Sequence, residues 1–152
     1  MKKKISFLLL LAISISKAQQ ADVENDVKKV IITFFEGFHQ KDTLLMKYLV
    51  SDDIHLQSII VSPTNENVLS SKNFEDFLIS IATIPEEVKF EEKLHSYTIS
   101  VYGVLATVST PYTFYLNDII SHCGVNIFQL YLDKNKWKIV SIMDSRQKDN
   151  CY

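Results

Sequence analysis

The sequence predicts an α+β fold in which helices come first and an antiparallel sheet follows. Three observations predict it. Apolar residues recur at steps of three and four as far as Ile81, they alternate with period two from Val88 onward, and the later segments are separated by very short turns. Short turns join antiparallel neighbours, since parallel ones need long crossovers. Helices followed by runs of strands define the α+β class.

The first element is an amphipathic helix. Val23, Val27, Val30, Ile31, Phe34, Phe35 and Phe38 share one face, while Glu24, Asp26, Lys28, Lys29 and Glu36 point elsewhere. Asp22 is placed to cap its start, and Asp42 to cap a second, short helix carrying Leu45, Tyr48 and Leu49. Ile54 to Val61 reads as a strand closed by Ser62-Pro63 and a polar loop. Ser71 or Asn73 opens a third helix with the face Phe74, Phe77, Leu78 and Ile81, and Pro85 stops it. Strands are then expected over 89–101, 104–116, 119–132 and 136–146. Tyr102-Gly103, Asn117-Asp118 and Asp133-Lys134-Asn135 supply the turns.

The N-terminus carries an address. Three lysines precede an apolar run from Ile5 to Ile15, and Ser16-Lys17-Ala18 offers small residues around a cut. That is the order of a secretory signal peptide over residues 1–18, leaving one domain over 19–152 in an exported, periplasmic or secreted protein. An apolar run this short spans about 17 Å, against ~30 Å of hydrocarbon in a bilayer, so no membrane association is expected after its removal. Of 152 residues, 16 are Lys or Arg and 18 are Asp or Glu. Four of the lysines lie in the leader, so the mature chain is acidic and lacks the signature of a nucleic-acid binder.

Pairing Leu132 with Trp137 across the last turn sorts the final hairpin into two faces. His122, Asn126, Phe128, Leu130, Trp137, Ile139, Ser141 and Met143 fall on the face that Trp137 marks as inward. Val125, Ile127, Val140 and Ile142 fall outward, with Asp144 and Arg146 as an exposed ion pair unless a β-bulge reverses the alternation. His122 is therefore the leading pocket residue, with Asn126 and Met143 beside it. The same histidine also reads as a core-edge residue satisfied by a carbonyl. Tyr48, His55, Tyr97 and Tyr112 are candidates for the rim, and equally for packing. His39 reads as a surface partner of a helix dipole. His122 and Cys123 point to opposite faces and so cannot form a nucleophile–base dyad. No inward carboxylate is evident. No HExxH, CxxC or EF-hand spacing occurs, and no glycine-rich phosphate loop, so neither metal nor cofactor is expected.

Pro111-Tyr112 with Phe114-Tyr115, the block from Ser121 to Gly124, Phe128-Gln129-Leu130, Lys136-Trp137-Lys138-Ile139 and Asp144-Ser145-Arg146 carry a family resemblance. The chain resembles bacterial members of the nuclear-transport-factor-2-like superfamily, in the SnoaL-like branch labelled lumazine-binding. The resemblance implies a cone: a bent sheet wrapped around three helices, with a pocket at the open end. It departs at Asn117-Asp118, where relatives show a Gly-containing turn, and at the single arginine after Asp144. Relatives pair through the outer sheet face, so the resemblance joins the apolar Val125, Ile127, Val140 and Ile142 in pointing to a homodimer. Cys123 and Cys151 form an even pair in an exported chain, and related sequences carry cysteines at both places; one disulfide or two free thiols are the alternatives. Three functions compete. The domain binds a small apolar or aromatic ligand, or it is an isomerase, dehydratase or cyclase using His122 as acid or base, or it is an interaction domain with no pocket function.

Overall fold

The helical periodicity of the first half folds as three helices in the computed structural model, which describes residues 3–61 and 66–151, with side chains from residue 20 onward. Helix α1 spans Lys3–Gln40 without a break, so Asp22 stands inside the helix rather than capping it. The side chains of the expected leader, and the Ser62-Pro63 turn, lie outside the described residues. No helix among the described residues is long and apolar enough to cross a membrane. Helix α2 spans Thr43–Leu49, and the Asp42 carboxylate caps it by accepting from the Leu45 N–H at 2.9 Å. Helix α3 spans Phe74–Ala82. Asn73 caps it, accepting from the N–H groups of Glu75 and Asp76.

Seven strands are present among the described residues: β1 Val50–Val61, β2 Asn67–Lys72, β3 Phe90–Leu94, β4 Thr98–Tyr102, β5 Leu105–Leu116, β6 Ile119–Asp133 and β7 Lys136–Arg146. They form one curved, unclosed sheet in the order β2-β1-β7-β6-β5-β3, with β4 also on β5. The expectation of a wholly antiparallel sheet is corrected in one place. Strand β1 runs parallel to β7, as their long separation in sequence permits. Strand β2 occupies part of the stretch read as a loop. Its six residues are all exposed and show no alternation, and it is held by its ladder with β1. The expected strand over 89–101 is two strands. Leu94 pairs with Tyr112 but Thr98 with Ser109, a slip of one residue beside Pro111, which offers that edge a carbonyl and no N–H. The hairpins β5–β6 and β6–β7 close on Asn117-Asp118 and Lys134-Asn135. All four residues have positive φ, as a two-residue turn matching the sheet twist requires.

The concave face wraps α1. Val27, Ile31, Phe34, Phe35 and Phe38 are buried against Val108, Phe128, Leu130, Trp137 and Ile139. Phe35 meets Phe128 edge to face with centroids 6.1 Å apart. Each such side chain contributes about 1.5–3 kcal/mol by leaving water. On the convex face, Cys123 and Cys151 stand at bonding distance, their Cα atoms 5.5 Å apart. A Cys123–Gln147 bridge continues the β6–β7 ladder beside them.

Candidate functional site

The site begins with one extra residue. From the last turn, Leu132 faces Trp137 and Leu130 faces Ile139, but Gln129 faces Ser141. Val140 is the surplus residue of a β-bulge, and beyond it the alternation of β7 is reversed. Ile142 and Asp144 are therefore buried on the concave face, while Ser141 and Met143 turn outward. This overturns three expectations. Met143 is not a pocket residue, and Ile142 is core rather than part of an outer apolar face. Asp144 and Arg146 form an ion pair at the pocket, not on the exposed side. The face expected to pair two copies keeps Val125, Ile127 and Val140, but Val140 borders a shallow polar hollow with His55, Gln57, Gln129 and Ser141.

Above the bulge a cavity of about 420 Å³ opens between α1, α3 and the sheet. Phe34, Phe35, Phe38, Phe77, Phe114 and Phe128 supply its aromatic wall. Two polar centres interrupt that wall. In the first, Asn126 donates its Nδ2 to Glu92 Oε1 at 2.7 Å. Burial pushes the Glu92 carboxyl up to about 7 from an ordinary 4.5, against the pull of the Asn126 bond, and Asp144 adds to the rise. In the second, Asp144 accepts from the Ser58 hydroxyl, from the Tyr112 hydroxyl at 3.2 Å and from Arg146 Nε at 2.6 Å. Both of its oxygens are engaged, so the carboxylate holds Arg146 in place at the rim.

Gly124 makes this geometry attainable. It lies between Tyr112 on β5 and the turned-in end of β7, and a Cβ on it would overlap the Ser145 carbonyl oxygen. With no side chain in the way, the Tyr112 hydroxyl reaches Asp144 and the Ser145 carbonyl, the latter at 3.0 Å. Burial, with Asp144 and Glu92 close by, pushes the Tyr112 phenol up, so it stays a neutral donor.

His122 lines the cavity with its ring stacked on Phe114, centroids 4.8 Å apart, and its Nδ1 lies 3.2 Å from Ser121 Oγ. Burial lowers its pKa and Arg146 lowers it further, so the imidazole is neutral at pH 7. Asn126 also lines the cavity. The other candidates are scattered. Tyr112 is buried beneath the cavity, Tyr97 is half-buried under the Lys28 ammonium, and His55 faces the outer hollow. Tyr48 is exposed on α2, where Lys136 donates to its hydroxyl at 2.8 Å. His39 is not a surface dipole partner. Its Nε2 accepts from the Glu92 N–H at 3.0 Å, and burial lowers its pKa.

Sequence reasoning missed Glu92, and with it the inward carboxylate. The signal was present: Phe90, Glu92 and Leu94 share one parity, so a strand that turns the two apolar residues inward must turn the glutamate inward too. Asp144 and Arg146 carried no such signal, because their orientation depends on the bulge. Among the described residues no cluster of three or more His, Cys, Asp or Glu side chains is placed to hold a metal ion.

Solved structures share this architecture. A protein of unknown function from Shewanella baltica, described as NTF2-like, superposes with a TM-score of 0.60 at 18% identity, covering 84% of this chain and 95% of its own. One from Pseudomonas putida gives 0.66 at 14% identity, over 82% and 87%. Another, from Cytophaga hutchinsonii, gives 0.61 at 16%, over 84% and 98%. The fold is nuclear-transport-factor-2-like. Identities this low establish the NTF2-like fold and not a branch within it, and no protein-family model or curated protein matches the chain. In this chain the cavity between the helices and the concave face holds both polar centres.

Proposed function

We propose that this chain is an exported binding protein whose cavity takes a small molecule with an apolar or aromatic body. One observation carries the reading: an aromatic-walled cavity of about 420 Å³ into which only a few polar side chains converge. Ligand sites have this volume and this balance of apolar wall and oriented polar groups. Export rests on the charged, apolar and small-residue order of the first eighteen residues and on a cysteine pair at bonding distance. Titration with N-phenyl-1-naphthylamine, a neutral fluorophore that brightens in apolar sites, tests the pocket. Leu56 lines the cavity, so saturable enhancement by the wild type, lost in Leu56→Trp, supports the reading; no enhancement by the wild type removes it. N-terminal sequencing of protein from the cell envelope or medium tests export, with Gln19 as the expected first residue and an intact Met1 as the contrary result.

A second reading, an isomerase, dehydratase or cyclase, is favoured by Glu92. A carboxyl pushed up to about 7, beside the hydrogen-bonded Asp144, can gain or lose a proton near neutral pH, as acid–base chemistry there requires. Here Glu92 moves the proton and neutral His122 is the second acid or base. Enolisation of 2-tetralone in deuterium oxide tests it: exchange at the α-carbon accelerated by the wild type and not by Glu92→Gln supports this reading, and no acceleration rejects it.

A further inference from the structure

The two polar centres differ in depth and in the hydrogen-bonding capacity they leave over. At the enclosed end, one oxygen of the Glu92 carboxyl accepts from Asn126, and Glu92 lines the cavity. At the rim, Arg146 is 46% exposed and bonds Asp144 through Nε alone. A guanidinium has five N–H groups in a planar fork, so four remain on the two terminal nitrogens. Asp144 has no comparable reserve, because Ser58, Tyr112 and Arg146 already occupy its oxygens. The rim therefore has donors to offer and few acceptors. A second cation, Lys72, lies elsewhere on the cavity wall, where it donates to Ser80 at 3.0 Å. The two centres adjoin, Asn126 facing Asp144 across the β6–β7 ladder, and the aromatic wall makes up much of the rest of the lining.

We infer that the ligand is a flat aromatic carboxylate, with its acid group on the free edge of Arg146 and its rings against the aromatic wall. This rests on the pocket reading above and gives it an orientation and a chemical class. A carboxylate matches the guanidinium fork in bidentate geometry, which a neutral alcohol does not. Asp144 then acts as a positioning residue: it occupies Nε and presents the terminal nitrogens to the cavity. A cationic ligand fits less well, since Arg146 repels it and Asp144 has its oxygens engaged. The neutral histidine does not alter this balance.

Isothermal titration of the purified protein with two probes tests the inference: 2-naphthoate and its neutral counterpart 2-naphthalenemethanol. The expected result has 2-naphthoate at least tenfold tighter than the alcohol. Arg146→Met should erase the preference for the acid over the alcohol, and Arg146→Lys should restore part of it. Equal binding of acid and alcohol by the wild type, or a preference that survives Arg146→Met, overturns the inference while the pocket reading stands. If neither probe binds and N-phenyl-1-naphthylamine does not brighten, both fall together.

Discussion

The hairpin of β6 and β7 has two ends built from the same two strands, and they do opposite things. Between the turn and Val140, the ladder points Leu130, Trp137 and Ile139 at α1 and leaves no room for a ligand. Beyond Val140 it points Asn126, Asp144 and Arg146 into a cavity. Composition does not separate these ends, for Val140, Ile142 and Met143 are as apolar as the residues before them. A single unpaired residue does. The bulge turns what would be a solvated ion pair into the lining of a pocket, and turns Met143 away from it.

If the closed end serves only packing, damage there should lower stability and spare binding. Ile139→Ala removes a fully buried side chain and should cost about 4 kcal/mol in urea unfolding, with N-phenyl-1-naphthylamine affinity unchanged under native conditions. Loss of affinity without loss of stability would erase the distinction between the ends.

The open end has less core to hold it, and the tail is tied across its outer face instead. Cys123 and Cys151, 28 residues apart, close a loop whose chain entropy is worth roughly 3–4 kcal/mol. Cys151→Ser, or reduction of the wild type, should lower stability by that order, and amide exchange should rise first around the Cys123–Gln147 bridge. Uniform loss of protection along β6 and β7 would show that the two ends unfold as one.

The smallest expected effect sharpens the comparison by pH. A glutamate raised from 4.5 to about 7 holds its proton more tightly in the folded chain than in the unfolded one. Below about pH 4.5 both states are protonated and Glu92 costs nothing. Between 4.5 and 7 its contribution to stability falls as pH rises, and the loss is complete above 7. Glu92→Gln keeps an acceptor for Asn126 and removes the charge, so above pH 7 it should raise stability by about 3 kcal/mol. At pH 4 it should be neutral. A variant that is no more stable at pH 8 than at pH 4, relative to wild type, contradicts a buried Glu92.

The fold was largely legible in the sequence, the site only in part. Helix α3 and its Asn73 cap, the Asp42 cap, the two-residue turns and the whole span of β7 follow from local chemistry that acts within a few residues. Strand β2 does not, because NVLSSK is exposed throughout and becomes a strand only by adding to the edge of β1. The parallel β1–β7 pairing is likewise a long-range choice. Glu92 was readable from the parity of Phe90 and Leu94. Asp144 and Arg146 were not, since 139–143 offers apolar residues at both parities and the packing of Ile142 against the core decides between them.

That decision can be read directly. Ile142→Cys and Met143→Cys, each made in unreduced protein so that Cys123 and Cys151 stay bonded, place a single thiol on either side of β7. Reaction with 5,5′-dithiobis(2-nitrobenzoate) under native conditions then reports which position faces solvent. With the bulge at Val140, Met143→Cys labels in the folded state and Ile142→Cys labels only on unfolding. The opposite order would mean that β7 alternates without interruption, that Asp144 and Arg146 face outward, and that the cavity has no ionic rim.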